Sequence, residues 1–195
     1  MARPRSERRA ELERAATELF ARRGYHAASM EHLAQAVGLR RGSLYTHISG
    51  KSELLAATVE HGAEAFNRAL DEGLAAAPDD DRMRLREALR AHIGVIAATP
   101  DAAACFLWEW RHLDGAERER AVALRDAYQA RIRELLEDGV ASGALRGDLD
   151  TPYAALAFLS LGNWSATWYR PGGKLTPAAI ADRLFAVLAE GVGTS

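Results

Sequence analysis

The 195-residue chain contains one cysteine, Cys105, six prolines and no long hydrophobic run. A single cysteine excludes an intramolecular disulfide and fits a reducing compartment, and we expect Cys105 to be a small buried core residue. The N-terminus is charged and lacks the apolar stretch of a signal peptide. Apolar runs such as Ala154–Leu159 are far shorter than the roughly 20 residues that span a bilayer. These absences predict a cytoplasmic protein with no membrane partner.

Signatures of catalysis and of metal binding are also missing from the sequence. No glycine-rich phosphate loop follows a strand, because no alternating strand pattern is present. Gly42-Ser43 lacks the flanking residues of a nucleophile elbow, and the spacing of the six histidines suggests no metal site. His92 and Glu109 can be drawn as an acid–base pair, but a hydrogen-bonded structural pair is the commoner interpretation. We therefore expect no enzymatic activity, no cofactor and no bound metal.

Hydrophobic residues instead recur at helical spacing along the chain, most clearly within Ala28–Leu55. In that stretch an apolar face repeats at i, i+3, i+4 and i+7: Met30, Leu33, Ala34 and Val37. Ser29 precedes this face as a natural N-cap, and Gly38 follows it where the chain must turn sharply. The spacing predicts a short helix that starts after Ser29 and stops before Gly38.

A second short helix is predicted at Arg41–His47, directly after that turn. Leu44 and Ile48 lie at i and i+4, which directs both side chains toward a core. The other face is polar, basic and aromatic, with Arg40, Arg41, Ser43, Tyr45, Thr46 and His47. A small apolar anchor under a dense polar face is typical of the recognition helix of a helix-turn-helix, which lies in the major groove of DNA.

Charge is distributed unevenly along the chain. The whole sequence has a net charge of −2, but residues 1–51 hold ten basic and five acidic residues, a net charge of +5. The remainder holds fifteen basic and twenty-two acidic residues, a net charge of −7. Because the basic segment coincides with the helix-turn-helix pattern, it favours DNA as the partner of that end of the molecule.

Residues Glu11–Leu55 resemble the N-terminal domain of the TetR family of bacterial repressors. The landmarks of the resemblance are Ala16, Leu19, Phe20, Gly24-Tyr25, Ser29-Met30, Leu33-Ala34, Val37-Gly38, Gly42-Ser43-Leu44-Tyr45, His47, Lys51 and Leu54-Leu55. Two positions depart from the family's usual residues, since Ile48 replaces a phenylalanine and Arg40 replaces a small capping residue. The resemblance implies an all-α fold. A three-helix DNA-binding domain is expected at residues 1–55, and a helical ligand-binding and dimerisation domain at residues 56–195.

The resemblance and the polar face together predict contacts to double-stranded DNA. The residues expected to face the groove are Arg40, Arg41, Ser43 and Thr46, and Gly42 is also expected in the DNA-binding set. The residues expected to contact phosphates are Ser29, Tyr45, His47 and Lys51. The N-terminal arm Met1–Arg5 carries Arg3 and Arg5. It is expected either to reach a neighbouring minor groove or to be a disordered terminus that touches DNA through charge alone.

Hydrophobic spacing and helix breakers predict helices over the rest of the chain. A first helix is expected at Glu7–Arg23, capped by Ser6. The later helices are expected at Lys51–Leu74, Arg82–Ala98, Asp101–His112, Ala116–Ser142 with or without an interruption near its middle, Pro152–Tyr169 and Pro177–Val192. Pro78 and the aspartates that follow it separate the helices on either side.

The last two predicted helices carry apolar stripes that fit a homodimer interface. The candidate interface residues are Leu156, Leu159, Ile180, Leu184, Val187 and Leu188. Two such helices from each subunit would form a four-helix interface, and two-fold symmetry would place two recognition helices about one turn of DNA apart. The alternative is that these stripes only close the core of one chain.

All four tryptophans lie in the C-terminal part of the chain, and Trp164 and Trp168 share one helical face. Large aromatic residues between helices form apolar sites, in which a few polar groups orient a ligand. The candidate effector-binding residues are His92, Phe106, Trp108, Glu109, Arg125, Tyr128, Asn163, Trp164 and Trp168. For each aromatic residue taken alone, plain core packing is the commoner interpretation.

The C-terminal segment from Asn163 is similar to the branch of TetR-type repressors that responds to acyl-CoA thioesters. The matching residues are Asn163-Trp164, Trp168-Tyr169-Arg170-Pro171, Gly173 and Leu175-Thr176-Pro177. This resemblance implies a homodimeric repressor that an acyl-CoA releases from its operator. Two other interpretations stay open: a repressor that responds to a drug-like or aromatic compound, and a DNA-binding protein without an effector.

Overall fold

The computed structural model describes residues 5–190, which form nine α-helices and contain no strand. The helices are α1 (Arg5–Arg23), α2 (Met30–Ala36), α3 (Arg41–Leu44), α4 (Lys51–Ala76), α5 (Asp81–Ala98), α6 (Pro100–Leu107), α7 (Gly115–Ala141), α8 (Thr151–Trp168) and α9 (Pro177–Glu190), with a 3-10 turn at Glu109–His112. The predicted all-α fold is confirmed. Residues 1–4 of the expected arm, Arg3 included, and the helix end expected at Val192 lie outside the described residues. No helix within 5–190 is long and apolar enough to cross a membrane.

The chain divides into two compact units. The first contains the residues up to Ala63 together with Asp101–Leu124, and the second contains Glu64–Pro100 together with the residues from Arg125 onward. Helices α4 and α7 each contribute to both units. The domain boundary predicted between residues 55 and 56 also lies within α4. Nothing in the local sequence indicates that Asp101–Leu124 belongs to the same unit as the N-terminal helices.

A small hydrophobic core lies beneath the helix-turn-helix in the first unit. Its buried residues include Leu12, Ala16, Phe20, Leu33, Ala34, Leu44, Ile48, Leu54 and Leu55. Helix α2 contacts both α1 and α3. The prediction that Ser6 caps α1 is wrong, because the helix already begins at Arg5 and Ser6 lies inside its first turn.

The turn of the helix-turn-helix has the predicted local chemistry. Ser29 Oγ accepts a hydrogen bond from the His32 amide at 3.1 Å, and His32 Nδ1 accepts one from the Ser29 amide at 3.3 Å. After α2, Gly38 has φ of +65°, a conformation that favours glycine. The Leu39 amide then donates to the Ala34 carbonyl at 2.9 Å, which closes the end of the helix. The predicted cap and the predicted turn are both confirmed.

Most predicted helix ends agree with the structure to within two residues, and three predicted helices need further comment. Helix α3 ends at Leu44 because the chain tightens there, with the His47 amide donating to the Leu44 carbonyl three residues back. The helix expected at Asp101–His112 is split, since Trp108 leaves the helical region of backbone space. Helix α7, for which an interruption was left open, runs without one.

Helix α5 is central to the second unit, because it contacts both α8 and α9. Asp182 on α9 accepts hydrogen bonds from Arg86 Nε at 2.8 Å and from Arg90 Nε and Nη2 at 2.7 Å each. These two guanidinium groups hold the pKa of the Asp182 carboxyl far below its ordinary value. Ile180, expected at the dimer interface, is instead buried within its own chain. That expectation needs correction for Ile180, because its side chain packs in the core of its own chain.

Candidate DNA-binding surface and effector region

The polar face predicted for the recognition helix is exposed in the structure. Leu44 and Ile48 are buried and anchor the segment. The exposed members of the face are Arg40, Arg41, Gly42, Ser43, Tyr45 and Thr46, and Ser29 before α2 is exposed as well. Half of the Tyr45 surface is accessible, which is unusual for a large aromatic residue in a folded chain. The fold therefore leaves the expected DNA contacts accessible while their apolar anchors are buried.

Three residues of this surface have side-chain environments that bear on their expected roles. Arg40 is the N-cap residue of α3 but forms no side-chain capping hydrogen bond. Thr46 Oγ1 donates to the Ser43 carbonyl at 2.8 Å, so its hydroxyl is already engaged with the backbone. His47 is half-buried, and within residues 5–190 its buried Nδ1 has no hydrogen-bond partner. A phosphate contact by His47 therefore requires the other ring nitrogen.

Lys51 has a structural role that the sequence analysis did not predict. Its ammonium donates to the carbonyls of Tyr25 at 2.7 Å and Ala28 at 2.9 Å, and it lies 4.1 Å from the centre of the Tyr25 ring. Partial burial lowers the pKa of Lys51. Two of its three N–H donors are thus committed to the α1–α2 turn. A phosphate contact by Lys51 stays a prediction, and only one donor remains for it.

Glu53 fixes the segment that follows the recognition helix, and the sequence analysis missed it. Its Oε2 accepts hydrogen bonds from the Ser49 amide and hydroxyl, each at 2.7 Å. Its Oε1 pairs with Arg9 Nη1 of α1 at 2.5 Å. The Ser49 donors, followed by Arg9, lower the pKa of Glu53 to about 2. Glutamate is favoured in the first turn of a helix, but the Ser49–Glu53 spacing is one residue longer than that of a capping box, so no standard sequence signal identifies this pairing.

The segment after α6 also contacts the α1–α2 turn, through Glu109 and His112. Glu109 Oε2 accepts a hydrogen bond from the Tyr25 amide at 2.7 Å. The His112 ring stacks on the Tyr25 ring with centres 5.6 Å apart and meets the His26 ring edge-on at 4.3 Å. Glu109 was expected to bind the effector, and this expectation needs correction because its carboxylate is engaged within the first unit. Nothing in the local sequence indicates a partner 84 residues away.

Three candidate effector residues meet in the second unit around His92. His92 Nε2 lies 3.0 Å from Asn163 Oδ1, and His92 Nδ1 lies 3.1 Å from the Tyr128 hydroxyl. Because an amide oxygen only accepts, Nε2 carries the ring proton and the Tyr128 hydroxyl donates to Nδ1. The Phe66 ring centre is 4.8 Å from the imidazole centre. Complete burial lowers the pKa of His92 to about 4, so the ring is neutral at pH 7.

Gly162 leaves the space that His92 occupies. A methyl group added at Gly162 would lie 2.7 Å from His92 Cδ2 and 3.1 Å from Nε2. Any larger residue at position 162 would push the imidazole away from Asn163, which is the next residue of α8. Gly162 is therefore a structural requirement of this polar triad, and the sequence analysis did not identify it.

The other six effector candidates are distributed between the two units. Phe106, Trp108 and Glu109 belong to the first unit, where Phe106 is buried. Arg111 lies over the rings of Trp108 and Trp110, at 5.6 and 5.9 Å from their centres. The members in the second unit are Arg125, which is half-buried, and Trp164 and Trp168, which are exposed. Of the nine candidates, the structure brings together His92, Tyr128 and Asn163.

Replacement of Lys51 tests its role in the α1–α2 turn. We expect Lys51→Met to lower the free energy of unfolding by about 1–2 kcal/mol, because the carbonyls of Tyr25 and Ala28 lose their donor. The measurement is urea unfolding without DNA. Lys174, the other lysine of the chain, is exposed, so Lys174→Met is a matched control that should leave stability unchanged. Equal stability of both variants and the parent chain would contradict the role.

Burial of neutral His92 predicts a pH-dependent stability. A folded pKa of about 4 lies below the ordinary value of 6.5, so the contribution of His92 is complete above pH 6.5 and is lost as pH falls toward 4. A shift of this size corresponds to about 3 kcal/mol. The measurement is the free energy of unfolding between pH 7.5 and 4.5. It should fall less steeply with pH in His92→Gln than in the parent chain. An NMR titration of the His92 ring with a midpoint near 6.5 would contradict the expectation.

Comparison with known proteins supports the interpretation of this surface. Residues 13–58 match the family model of bacterial regulatory proteins of the tetR family, and residues 78–192 match that of the tetracyclin repressor-like C-terminal domain. The HTH-type transcriptional repressor KstR2 of Rhodococcus jostii is 31% identical over 97% of this chain and 93% of its own length. The HTH-type transcriptional activator FasR of Mycolicibacterium smegmatis is 39% identical, but over 48% of this chain and 42% of its own.

Solved structures agree in fold. AibR, whose crystal structure is a complex with isovaleryl coenzyme A and operator DNA, has a TM-score of 0.85 and 27% identity, covering 93% of this chain and 98% of AibR. The TetR family transcriptional regulator PfmR from Thermus thermophilus has a TM-score of 0.84 and 28% identity, covering 94% of this chain and 99% of PfmR. With an exposed helix-turn-helix face and two matching domain models, the chain belongs to the TetR family and is a DNA-binding transcriptional regulator, not an enzyme.

Proposed function

We propose that this chain is a repressor that binds a near-palindromic operator as a homodimer and is released by an apolar effector, an acyl-CoA thioester. The observation that carries the proposal is the exposed polar face of residues 40–47 above buried Leu44 and Ile48. Arg40 and Arg41 are the basic residues of this face, and arginine forms paired hydrogen bonds with guanine in the major groove. Tyr45 and Ser29 supply phosphate contacts, which set affinity but not sequence choice.

Exposed apolar residues support a homodimer. Within residues 5–190, the large hydrophobic side chains that stay exposed are Tyr45, Tyr153, Leu156, Trp164, Trp168 and Val187. All but Tyr45 lie on α8 or α9, with exposed fractions between 44% and 71%. On α8 these residues recur at helical spacing and share one face. A contiguous apolar face of this kind favours burial against a second copy, which would place two recognition helices on one operator.

An acyl-CoA is the effector favoured by a structural relative and by the chemistry of the His92 triad. The AibR structure contains isovaleryl coenzyme A. A thioester carbonyl accepts hydrogen bonds but cannot donate them. It can therefore accept the hydrogen bond that His92 Nε2 donates to Asn163 Oδ1, but it cannot replace the Tyr128 hydroxyl as the donor to Nδ1. KstR2, a repressor, matches nearly the whole chain, whereas the activator FasR matches half of it. This difference favours repression.

Release follows if the effector moves the elements that hold the DNA-binding helices. Helix α4 is continuous from Lys51, at the α1–α2 turn, to Ala76. We propose that the effector shifts α4 and that the two recognition helices then no longer match the spacing of the half-sites. Such a coupling amounts to about 1–3 kcal/mol and is reciprocal, so DNA must weaken effector binding by the same factor.

Fluorescence anisotropy with duplex from the upstream region of the chain's own gene tests the proposal. Binding should be lost at micromolar isovaleryl-CoA or decanoyl-CoA, and it should survive free coenzyme A and the free acids. Insertion of five base pairs between the half-sites should abolish binding by turning them to opposite faces of the duplex. Binding that is insensitive to every thioester would reject the effector. Binding that tolerates the insertion would reject the dimeric geometry.

Two variants of the exposed face separate base recognition from phosphate contact. Arg41→Ala should weaken operator binding by about 1–3 kcal/mol and leave binding to a scrambled duplex nearly unchanged. Tyr45→Ala should weaken binding to both duplexes by similar factors, because phosphates carry no sequence information. Anisotropy titrations at one fixed salt concentration provide both comparisons. An equal loss on operator and scrambled DNA for Arg41→Ala would contradict its assignment to base recognition.

A further inference from the structure

A cavity of about 450 Å³ lies in the second unit, where the start of α5, the end of α7, the following connection, the start of α8 and the end of α9 meet. Its volume lies within the range of about 300–1,000 Å³ typical of small-molecule sites. None of the nine candidate effector residues lines this cavity. It is therefore separate from the His92 triad to which the proposed effector was assigned.

The lining of the cavity is largely apolar. Leu85, Leu136 and Phe158 are almost completely buried, and Phe185 and Leu188 of α9 are partly buried. Three helices besides α9 thus contribute to one apolar surface. A ligand entering here would bury an apolar body, which is favourable in proportion to the area removed from water.

Two arginines give the cavity a basic opening. Arg82 and Arg146 line the cavity and are exposed. Within residues 5–190 the Arg82 guanidinium has no hydrogen-bond or ion-pair partner. Arg146 pairs with Asp148 at 3.7 Å, but the two side chains are 70% and 80% exposed, and an exposed pair of this kind is weak and easily exchanged.

One acidic residue also lines the cavity, and it already has a structural role. Asp150 is the N-cap of α8, and its Oδ1 accepts a hydrogen bond from the Tyr153 amide at 3.0 Å. Of the two guanidinium groups at the opening, that of Arg82 has no acidic partner within residues 5–190 and that of Arg146 has the weak pair with Asp148, while the one carboxylate of the lining, Asp150, caps a helix. This balance favours an anionic ligand over a neutral or cationic one.

We propose that this cavity is a second ligand site, which binds an amphiphile with an apolar body and a single anionic head group, a carboxylate or a phosphate. The apolar body occupies the space between Leu85, Phe158 and Phe185, and the head group pairs with Arg82 and Arg146. The site does not depend on the identity of the effector that acts on DNA binding. Leu188 and the exposed Tyr153 line the cavity and also belong to the candidate dimer face, so binding is measured on the full chain in its own oligomeric state.

Isothermal titration calorimetry with four ten-carbon probes tests the proposal. Decanoate and decyl phosphate should bind, decanol should bind at least about tenfold more weakly, and decyltrimethylammonium should not bind. A tenfold difference corresponds to the loss of one charge-assisted hydrogen bond. Tighter binding of either anion supports the site and identifies its preferred head group. Equal affinities of decanol and the two anions would overturn the proposal, as would binding by none of the probes.

Substitutions of residues that line the cavity test whether the probes bind there. Arg82→Glu should weaken decanoate at least about tenfold and admit decyltrimethylammonium, because the charge at the opening is reversed. Arg183→Glu is the matched control, since Arg183 is an exposed arginine of α9 that does not line the cavity. Ala157→Trp should abolish binding of every probe by filling the cavity. Arg82→Glu changes an exposed residue, so it remains informative if Ala157→Trp fails to fold.

Unchanged decanoate binding in Arg82→Glu, or equal losses in Arg82→Glu and Arg183→Glu, would overturn the site. Decanoate binding that persists in folded Ala157→Trp would place the ligand elsewhere and would also overturn it. Operator binding of Arg82→Glu, and its release by acyl-CoA, should match the parent chain. A failure of the proposed repressor function would therefore be recognised separately from a failure of this site.

Discussion

The DNA-binding surface depends on how the turn between α1 and α2 is held. Lys51 donates to the carbonyls of Tyr25 and Ala28, and Glu109 accepts from the Tyr25 amide. Two side chains of opposite charge thus satisfy three backbone groups that neither adjacent helix can satisfy. Because one comes from the start of α4 and the other from the segment after α6, a small movement of either element changes the hydrogen bonding of the turn. The orientation of α2 and α3 is therefore sensitive to two elements at once, which suits a regulated DNA-binding surface.

The exposure of individual residues indicates the partner surfaces of this chain more clearly than its overall composition does. A group of large hydrophobic residues exposed together on one face marks an interaction surface, whereas single exposed residues are normal. Tyr45 is exposed on the DNA-binding face, and the other large exposed hydrophobic residues of the described chain lie on α8 and α9. The net charge of −2 gives no sign of a nucleic-acid partner, whereas the local excess of arginine before residue 51 does. The positions of the exposed apolar and basic residues thus indicate which surfaces bind partners.

Local sequence patterns predicted what local chemistry determines. The cap at Ser29, the turn at Gly38 and the burial of Leu44 depend on residues close in sequence, and all three are confirmed. The missed features are pairings between distant residues, such as Glu109 with Tyr25. Periodicity indicates that a helix face is apolar, but it does not tell whether its own chain or a second copy covers that face, so Ile180 was assigned to the wrong surface. Among the aromatic effector candidates only Tyr128 lies beside His92, because helical spacing does not tell which helices pack together.

The second unit contains two polar arrangements that respond differently to a ligand. Both ring nitrogens of buried His92 have a hydrogen-bond partner, and the backbone of Gly162 lies directly against the ring. A ligand that uses this triad must break one of its hydrogen bonds, and the group it releases on α8 or α7 must find another partner or remain unpaired at a cost of about 1–3 kcal/mol. Binding there is consequently coupled to a movement of protein. At the Arg82 opening, by contrast, the Arg82 guanidinium is already exposed and, within the described residues, unpaired, and the Arg146–Asp148 pair is exposed, so an anion can bind without breaking a buried contact. The closed triad has the energetics expected of a switch, and the open cavity has those of a simple binding site.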